Sequence, residues 1–297
     1  MGAALAEASA AARDVFGEVD EALGQSLFRL MREGPEDELK LTENAQPAIM
    51  AHALAVFRAL TKEGRVELEK AAQFVAGHSL GEYSALAAAG SLDLPTTDKL
   101  LKLRGQAMQA AVPVGVGAMA ALLGADLDLA RRIAATAAEG EVCEVANYND
   151  PGLVVISGHK GAIDRAIAIA KEMGAKRAVA LPVSAPFHCT LMQPAADAMA
   201  EALSKTVIEP PHVPLFANVT AAAVADPAEI ERLLVEQVTG MVRWRESIAN
   251  MAAAGVEEFV ELGGKVLGPM VKRIAPDAKV TSVIAIEDIE ALAKEIA

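Results

Sequence analysis

The heptapeptide Gly77-His78-Ser79-Leu80-Gly81-Glu82-Tyr83 constrains the fold of this chain more than any other segment. An apolar run at residues 74–76 precedes it and an alanine-rich run at residues 84–89 follows it, which predicts a strand, a sharp turn and a helix. Neither flanking glycine carries a side chain that would clash across the turn, so Ser79 can sit exposed at its tip as a nucleophile. The N–H groups at the start of the new helix would face an oxyanion formed on Ser79. The pattern therefore indicates acyl transfer, and an ordinary helix cap is the alternative.

Composition and charge narrow the classes of protein to which the chain can belong. Its 297 residues are 53% hydrophobic with a formal net charge of −13, which fits a globular chain with a large core. The negative charge argues against a nucleic-acid partner, because phosphates favour a basic surface. No apolar run is long enough to cross a bilayer and the N-terminus lacks the pattern of a signal peptide, so we expect a cytoplasmic protein without a membrane partner. Cys143 and Cys189 have no metal-ligand spacing, and we predict two reduced thiols and no metal site.

The order of predicted elements divides the chain into two parts. Residues 3–68 show mostly helical periodicity, and residues 117–184 show a βαββαβ order typical of a ferredoxin-like unit. In that unit we predict strands at 118–123, 142–146, 153–157 and 177–182, and helices at 126–138 and 162–173. We therefore predict an α/β fold in which residues 1–114 and 187–297 form a hydrolase-like parallel sheet flanked by helices. Residues 115–186 form an inserted ferredoxin-like subdomain.

A nucleophilic serine needs a base, and His188 is the best placed of five histidines. It follows the segment at residues 182–187, where the chain returns from the inserted subdomain to the main domain, so it can lie over the strand ends near Ser79. His78 is the alternative, although its side chain should point away from that of Ser79. No acid is an obvious third member, which leaves a backbone carbonyl to orient the base.

Arg104 gives the sequence a prediction about the substrate. On the helix predicted at residues 96–111, Arg104 shares the apolar face with Leu101 and Met108, whereas lysines and glutamines form the opposite stripe. A guanidinium turned inward must find an anion, because burying it without a partner is costly. A structural ion pair with Asp or Glu is one interpretation. A substrate carboxylate, which the planar guanidinium matches with two hydrogen bonds, is the other.

Four motifs in this order resemble the malonyl-CoA:acyl carrier protein transacylase family over nearly the whole chain. They are the heptapeptide at 77–83, Leu103-Arg104-Gly105-Gln106-Ala107-Met108, Phe187-His188-Cys189 and Gly264-Lys265-Val266-Leu267. The resemblance implies transfer of a malonyl group from coenzyme A to the phosphopantetheine thiol of acyl carrier protein through a seryl ester, in fatty acid biosynthesis. Malonyl-CoA and acyl carrier protein are then the partners, and no cofactor is needed. Ser79 would be the nucleophile, His188 the base and Arg104 the malonate clamp, with the backbone carbonyl of Gln237 orienting His188.

The resemblance also implies roles for four further residues. Asn147 or Asn149 would help to position the substrate, and a plain turn is the alternative for both. The bulk of Phe187 beside the histidine would leave little room for an α-methyl branch, and core packing is its alternative. The backbone N–H of Leu80 would be a donor of the oxyanion hole.

One departure from the family concerns the N-terminus. Met1-Gly2-Ala3 resembles the Gly-Met-Gly that follows the family's first strand and its Gly-Gln-Gly-Ser-Gln loop. The resemblance therefore implies that this strand and loop are absent, leaving Leu80 as the identifiable oxyanion donor. Two other classes stay open: a serine thioesterase or hydrolase, which has no need of an inward arginine, and a non-catalytic variant that binds carrier protein.

Overall fold

Six helices form the N-terminal part of the molecule, in agreement with the periodicity of residues 3–68. The computed structural model describes residues 1–296. The helices are α1 (Ala3–Ala8), α2 (Ala10–Leu23), α3 (Leu27–Glu33), α4 (Glu36–Leu39), α5 (Thr42–Lys62) and α6 (Leu68–Ala71). The longest, α5, packs against α2. Four of its small side chains are fully buried, which allows neighbouring helices to approach closely; they are Ala48, Ala51, Ala55 and Ala59.

The predicted strand, turn and helix follow at once. They are β1 (Val75–Ala76) and α7 (Gly81–Ala88), and after a short turn the chain continues as α8 (Leu94–Ala110). The sequence predicts α8 at residues 96–111, but it begins two residues earlier because Asp93 caps it. The Asp93 carboxylate accepts the backbone N–H of Thr96 at 2.7 Å, and Pro95 occupies the first turn.

The inserted unit has the predicted βαββαβ order. Its elements are β2 (Gly117–Leu123), α9 (Leu127–Ala138), β3 (Cys143–Asp150), β4 (Leu153–His159), α10 (Lys160–Ala170) and β5 (Arg177–Ala180). The strands form one antiparallel sheet in the order β3-β4-β2-β5, and α9 and α10 pack against each other over a core of their own. The ferredoxin-like arrangement is confirmed. The domain boundaries at 114/115 and 186/187 stay a prediction.

The remaining elements complete the main part of the molecule. After a 3₁₀ turn at Thr190–Met192 come α11 (Gln193–Leu203), β6 (Leu215–Ala217), β7 (Ala222–Val224), α12 (Pro227–Thr239), α13 (Trp244–Ala253), β8 (Glu258–Leu262), α14 (Leu267–Ile274), β9 (Lys279–Val283) and α15 (Ile286–Ile296). A large apolar core joins α2, α5 and α8 with α11 and α12. No helix in residues 1–296 is long and apolar enough to cross a membrane.

The α/β class with helices flanking the sheets is confirmed, but the parallel pairing lies in two separate sheets of the described chain. β1 pairs in parallel with β6, and β8 pairs in parallel with β9. β7 joins β6 antiparallel, because the four residues between these strands can close a tight turn but not a parallel crossover. The sharp turn at residues 77–81, here called the elbow, therefore leaves the end of β1 directly beside the end of β6.

Asp98 on α8 carries a prediction about stability. Its side chain is fully buried, and neither carboxyl oxygen has a hydrogen-bond partner within residues 1–296. Burial, followed by the nearby charge of Asp20, raises the pKa of Asp98 to about 7. The ordinary pKa of an unfolded Asp is lower, so the folded state loses stability as the pH rises from about 4 through 7.

Asp98→Asn should remove this loss. We expect the free energy of unfolding of the variant, relative to wild type, to increase by about 2 kcal/mol between pH 5 and pH 8, as measured by urea unfolding. Asp128→Asn, at a carboxylate that is 90% exposed, is the matched control. A difference that stays constant with pH would contradict the prediction.

Candidate active site

Ser79 lies at the tip of a tight turn between β1 and α7. Its backbone φ is 54°, in the left-handed region that residues other than glycine seldom occupy. A Cβ at Gly77 would lie 1.9 Å from the Gly81 carbonyl oxygen, so the turn requires glycine at 77. A Cβ at Gly81 would meet nothing within 4 Å. The expectation that both glycines avoid a clash therefore holds for Gly77 and is wrong for Gly81.

Ser79 and His188 are in direct contact, although 109 residues separate them. The Ser79 hydroxyl oxygen lies 2.8 Å from His188 Nε2, and His188 Nδ1 donates to the backbone carbonyl of Gln237 at 2.8 Å. A carbonyl can only accept, so this bond leaves Nε2 as the acceptor for the serine proton. Burial and the charge of Arg104 lower the pKa of His188 to about 3. The imidazole is therefore neutral at pH 7 and able to act as a base.

Arg104 reaches the same point from α8 and is 1% exposed. Its Nη1 donates to Gln46 Oε1 at 2.8 Å, and its Nη2 donates to Gln237 Oε1 at 2.8 Å and to the Ser79 hydroxyl at 3.1 Å. Every one of these acceptors is neutral, and no carboxylate of residues 1–296 forms a salt bridge with Arg104. The structural ion pair considered from the sequence is therefore not found. The site holds a buried positive charge beside the serine.

The backbone N–H of Leu80 is available beside Ser79. Within residues 1–296 it has no hydrogen-bond acceptor, whereas the N–H groups of Gly81, Glu82 and Tyr83 each bond to a carbonyl of the turn. Leu80 immediately precedes α7, where the helix dipole is positive. This group can therefore donate to a negative oxygen on an acyl group carried by Ser79.

Asn147, Asn149 and Phe187 lie where the inserted sheet meets the main part. Both asparagines are buried within β3, so the turn role considered for them is wrong. His78 Nε2 donates to Asn149 Oδ1 at 2.8 Å, which links the elbow to this strand. Phe187 is half-buried and contacts apolar residues of both parts. Asn149 therefore contacts the turn that carries Ser79, and Phe187 directly precedes His188. No three His, Cys, Asp or Glu side chains within residues 1–296 are placed to hold a metal ion.

The comparisons with known proteins agree with this geometry. A family model described as acyl transferase domain matches residues 1–266. The chain is 45% identical over 262 residues to the malonyl CoA-acyl carrier protein transacylase of Escherichia coli (strain K12). This match covers 88% of this chain and 84% of that protein. The chain belongs to the malonyl-CoA:acyl carrier protein transacylase family.

Solved transacylase structures share the whole fold. An acyl-carrier-protein-S-malonyltransferase from Bartonella henselae superposes with a TM-score of 0.97 at 51% identity, over 100% of this chain and 94% of that chain. A second solved structure is a type II PKS acyl-carrier protein in complex with its malonyl-transacylase. It matches with a TM-score of 0.95 at 38% identity, over 99% of this chain and 94% of that chain. The second structure shows a relative with its carrier protein bound.

Sequence reasoning missed three buried polar residues of this transacylase site: Gln46, Glu82 and Asn218. Asn218 accepts the Ser79 N–H at 2.7 Å and donates to the Gly77 carbonyl at 2.8 Å, so its amide supports the turn on both sides. It immediately follows β6, the parallel neighbour of β1, and polar residues after adjacent parallel strands meet at one sheet edge. That rule could have indicated Asn218 from the sequence. Gln46 and Glu82 are single polar residues on buried helix faces, and this pattern is a weaker indication of a functional residue.

Proposed function

We propose that this chain transfers a malonyl group from coenzyme A to the phosphopantetheine thiol of acyl carrier protein, as a step of fatty acid biosynthesis. The observation that carries the proposal is the buried Arg104, which contacts the Ser79 hydroxyl and has only neutral acceptors. No carboxylate of residues 1–296 contacts the guanidinium directly, and the carboxylate of the substrate can do so. The names of the relatives and the carrier-protein complex of a homologue support the same conclusion.

The reaction uses Ser79 and His188 twice. His188 Nε2 takes the hydroxyl proton as Ser79 attacks the thioester carbonyl of malonyl-CoA, while Leu80 N–H donates to the developing oxyanion. The proton then passes to the departing thiolate, so coenzyme A leaves as a thiol and Ser79 carries the malonyl ester. The carrier-protein thiol gives its proton to His188, attacks this ester and receives the malonyl group, and Ser79 regains its proton.

Five further residues shape the acyl site in this proposal. The Gln237 carbonyl keeps His188 in the tautomer that accepts a proton from serine. Arg104 holds the malonyl carboxylate with its planar guanidinium. Asn149, fixed by His78, places its amide beside the substrate together with Asn147 from the same strand. Phe187 limits the space for an α-methyl branch.

The test is intact-mass measurement of the chain after brief mixing with malonyl-CoA, followed by addition of holo-acyl carrier protein. We expect a malonyl adduct that disappears as the carrier protein gains the same mass. An adduct that is released as free malonate, with none on the carrier protein, would favour the hydrolase. Carrier-protein binding without an adduct would favour the non-catalytic variant.

The carrier protein is expected to dock at the end of the inserted sheet that carries Lys176 and Arg177. One row of paired residues crosses the sheet at this end, from Asp150 on β3 through Leu153 and Leu123 to Arg177 on β5. Asn149 directly precedes Asp150 of this row. Lys176 and Arg177 are exposed at this end. An acidic carrier protein would find a local basic surface there on an otherwise acidic chain.

Reversing both charges, Lys176→Glu with Arg177→Glu, should raise the KM for carrier protein by roughly 10-fold and leave the rate of loading from malonyl-CoA unchanged. Steady-state kinetics with each substrate varied in turn would measure this. Arg29→Glu with Arg32→Glu on α3 is the matched control. An unchanged KM would remove this surface from the proposal.

A cytoplasmic location remains a prediction from the sequence. Fractionation of the producing cells would check the location.

A further inference from the structure

Glu82 is a buried carboxyl group that the reaction described above does not use. It lies on α7, three residues after Ser79, and is 1% exposed. Its Oε2 accepts the Gln237 side-chain N–H at 2.5 Å and the Asn218 backbone N–H at 3.4 Å. Its Oε1 has no partner within residues 1–296. A carboxylate with half of its lone pairs unsatisfied in a buried site is costly when ionised.

The side chain of Gln237 connects Glu82 to Arg104. Its nitrogen donates to Glu82, and its oxygen accepts from Arg104 Nη2 at 2.8 Å. The carboxyl group of Glu82 and the guanidinium of Arg104 therefore bind the two ends of the Gln237 amide. Glu82 is also the carboxyl group whose charge acts on Arg104. In the unloaded site Glu82 can thus supply negative charge, through the Gln237 amide, to a guanidinium that has only neutral acceptors.

Opposing effects act on the ionisation of Glu82. The hydrogen bonds from Gln237 on α12 and from Asn218 after β6 favour the carboxylate, and so does the smaller effect of the Arg104 charge on α8. Tyr83, its neighbour on α7, is buried with a hydroxyl that has no partner within residues 1–296. Burial dominates these effects and raises the pKa of Glu82 to about 7.

We propose that Glu82 is the counter-charge of Arg104 in the unloaded site and takes up a proton when a malonyl carboxylate binds to Arg104. The proposal rests on the proposed function. Two anions that share one buried cation favour protonation of one of them. The malonyl carboxylate meets the guanidinium directly, whereas Glu82 reaches it through an amide, so Glu82 is the group that is protonated.

The proton comes from solvent, because the acyl transfer itself is balanced. Ser79 loses a proton through His188 and coenzyme A leaves with it as a thiol, so loading by an acyl group without a carboxylate takes up no proton. Malonyl loading should therefore take up the proton that neutralises Glu82, whereas acetyl loading should not. The affinity of the chain for the malonyl group should fall as the pH rises, because the ionised Glu82 must first be neutralised.

Proton uptake in dilute buffer with a pH indicator tests the proposal, with the extent of acylation measured by intact mass in the same samples. With malonyl-CoA we expect roughly 0.5 proton per acyl group near pH 7, rising toward 1 near pH 8, and close to none with acetyl-CoA. A malonyl adduct formed without uptake, or equal uptake with acetyl-CoA, would overturn the proposal. If no adduct forms in the wild-type chain, the proposed function fails and this proposal fails with it.

Glu82→Gln assigns the proton to this residue. Glutamine keeps the shape and an acceptor oxygen for the Gln237 amide but cannot take up a proton near neutral pH. We expect malonyl loading with close to no uptake in this variant, and unchanged uptake in Glu172→Gln, at an exposed glutamate. Uptake that persists in a folded Glu82→Gln chain would assign the proton elsewhere. If that variant does not fold, the comparison of malonyl-CoA with acetyl-CoA in the wild-type chain decides.

Discussion

Ser79→Ala should form no malonyl adduct and should lower the rate of malonyl transfer by roughly 10⁴-fold or more. The ester requires the hydroxyl that lies 2.8 Å from His188 Nε2, and no other group of residues 1–296 stands in the same relation to that imidazole. Loss of a nucleophile in a serine and histidine pair removes nearly all of the rate enhancement that the pair supplies. Intact mass after mixing with malonyl-CoA, together with transfer assays, measures both effects.

The control for this prediction is Ser204→Ala, at the end of α11, which should load as the wild-type chain does. Alanine at 79 removes one oxygen and leaves the Asn218 contacts to the turn in place. Matching thermal unfolding of the two variants would show that the turn survives. A malonyl adduct on the Ser79→Ala chain would contradict the assignment of Ser79 as nucleophile.

Arg104→Ala should lower kcat/KM for malonyl-CoA by about 10² to 10³-fold, because the substrate carboxylate would lose a charged partner with two hydrogen bonds in a buried site. Acetyl-CoA has no carboxylate, so its transfer should fall far less or increase. The ratio of the two specificity constants is the measurement. Since Arg104 also contacts the Ser79 hydroxyl at 3.1 Å, the ratio is a better measure than either constant alone.

Arg104→Lys is the matched variant, since it keeps a positive charge and loses the planar pair of donors. We expect an intermediate ratio for it. Equal losses for malonyl-CoA and acetyl-CoA in Arg104→Ala would mean that the arginine supports the site without contacting the substrate. That result would favour the alternative that the chain is a serine thioesterase, because a hydrolase of simple acyl groups does not need a residue that binds a carboxylate.

The local patterns of the sequence were sufficient for the elbow and for the inserted unit. Glycine spacing around Ser79 and turn signals between the strands act over a few residues, and these features are visible without contacts. β3 was predicted to end at residue 146, because the residues that follow have the composition of a turn. In the structure it continues to Asp150, with irregularities in its pairing with β4 that accommodate Asn147 and Asn149.

The network beneath the serine was not predictable in the same way. Asn218 and Gln237 contact Ser79 across 139 and 158 residues, and no spacing rule relates such positions. Gln237 entered the sequence analysis only for its backbone carbonyl. Its side chain also joins Arg104 to Glu82, and that contact depends on where α12 packs.

The two residues that exchange the proton share an uncommon backbone conformation. Ser79 and His188 have φ values of 54° and 57°, and neither is glycine. Each conformation costs of order 1 to 3 kcal/mol and persists because the surrounding fold enforces it. The strain at these two residues therefore lowers the free energy of unfolding, and the same conformations hold the reacting atoms in place. Relaxing these two positions would raise stability and destroy turnover, so improvements compatible with activity must come from elsewhere in the chain.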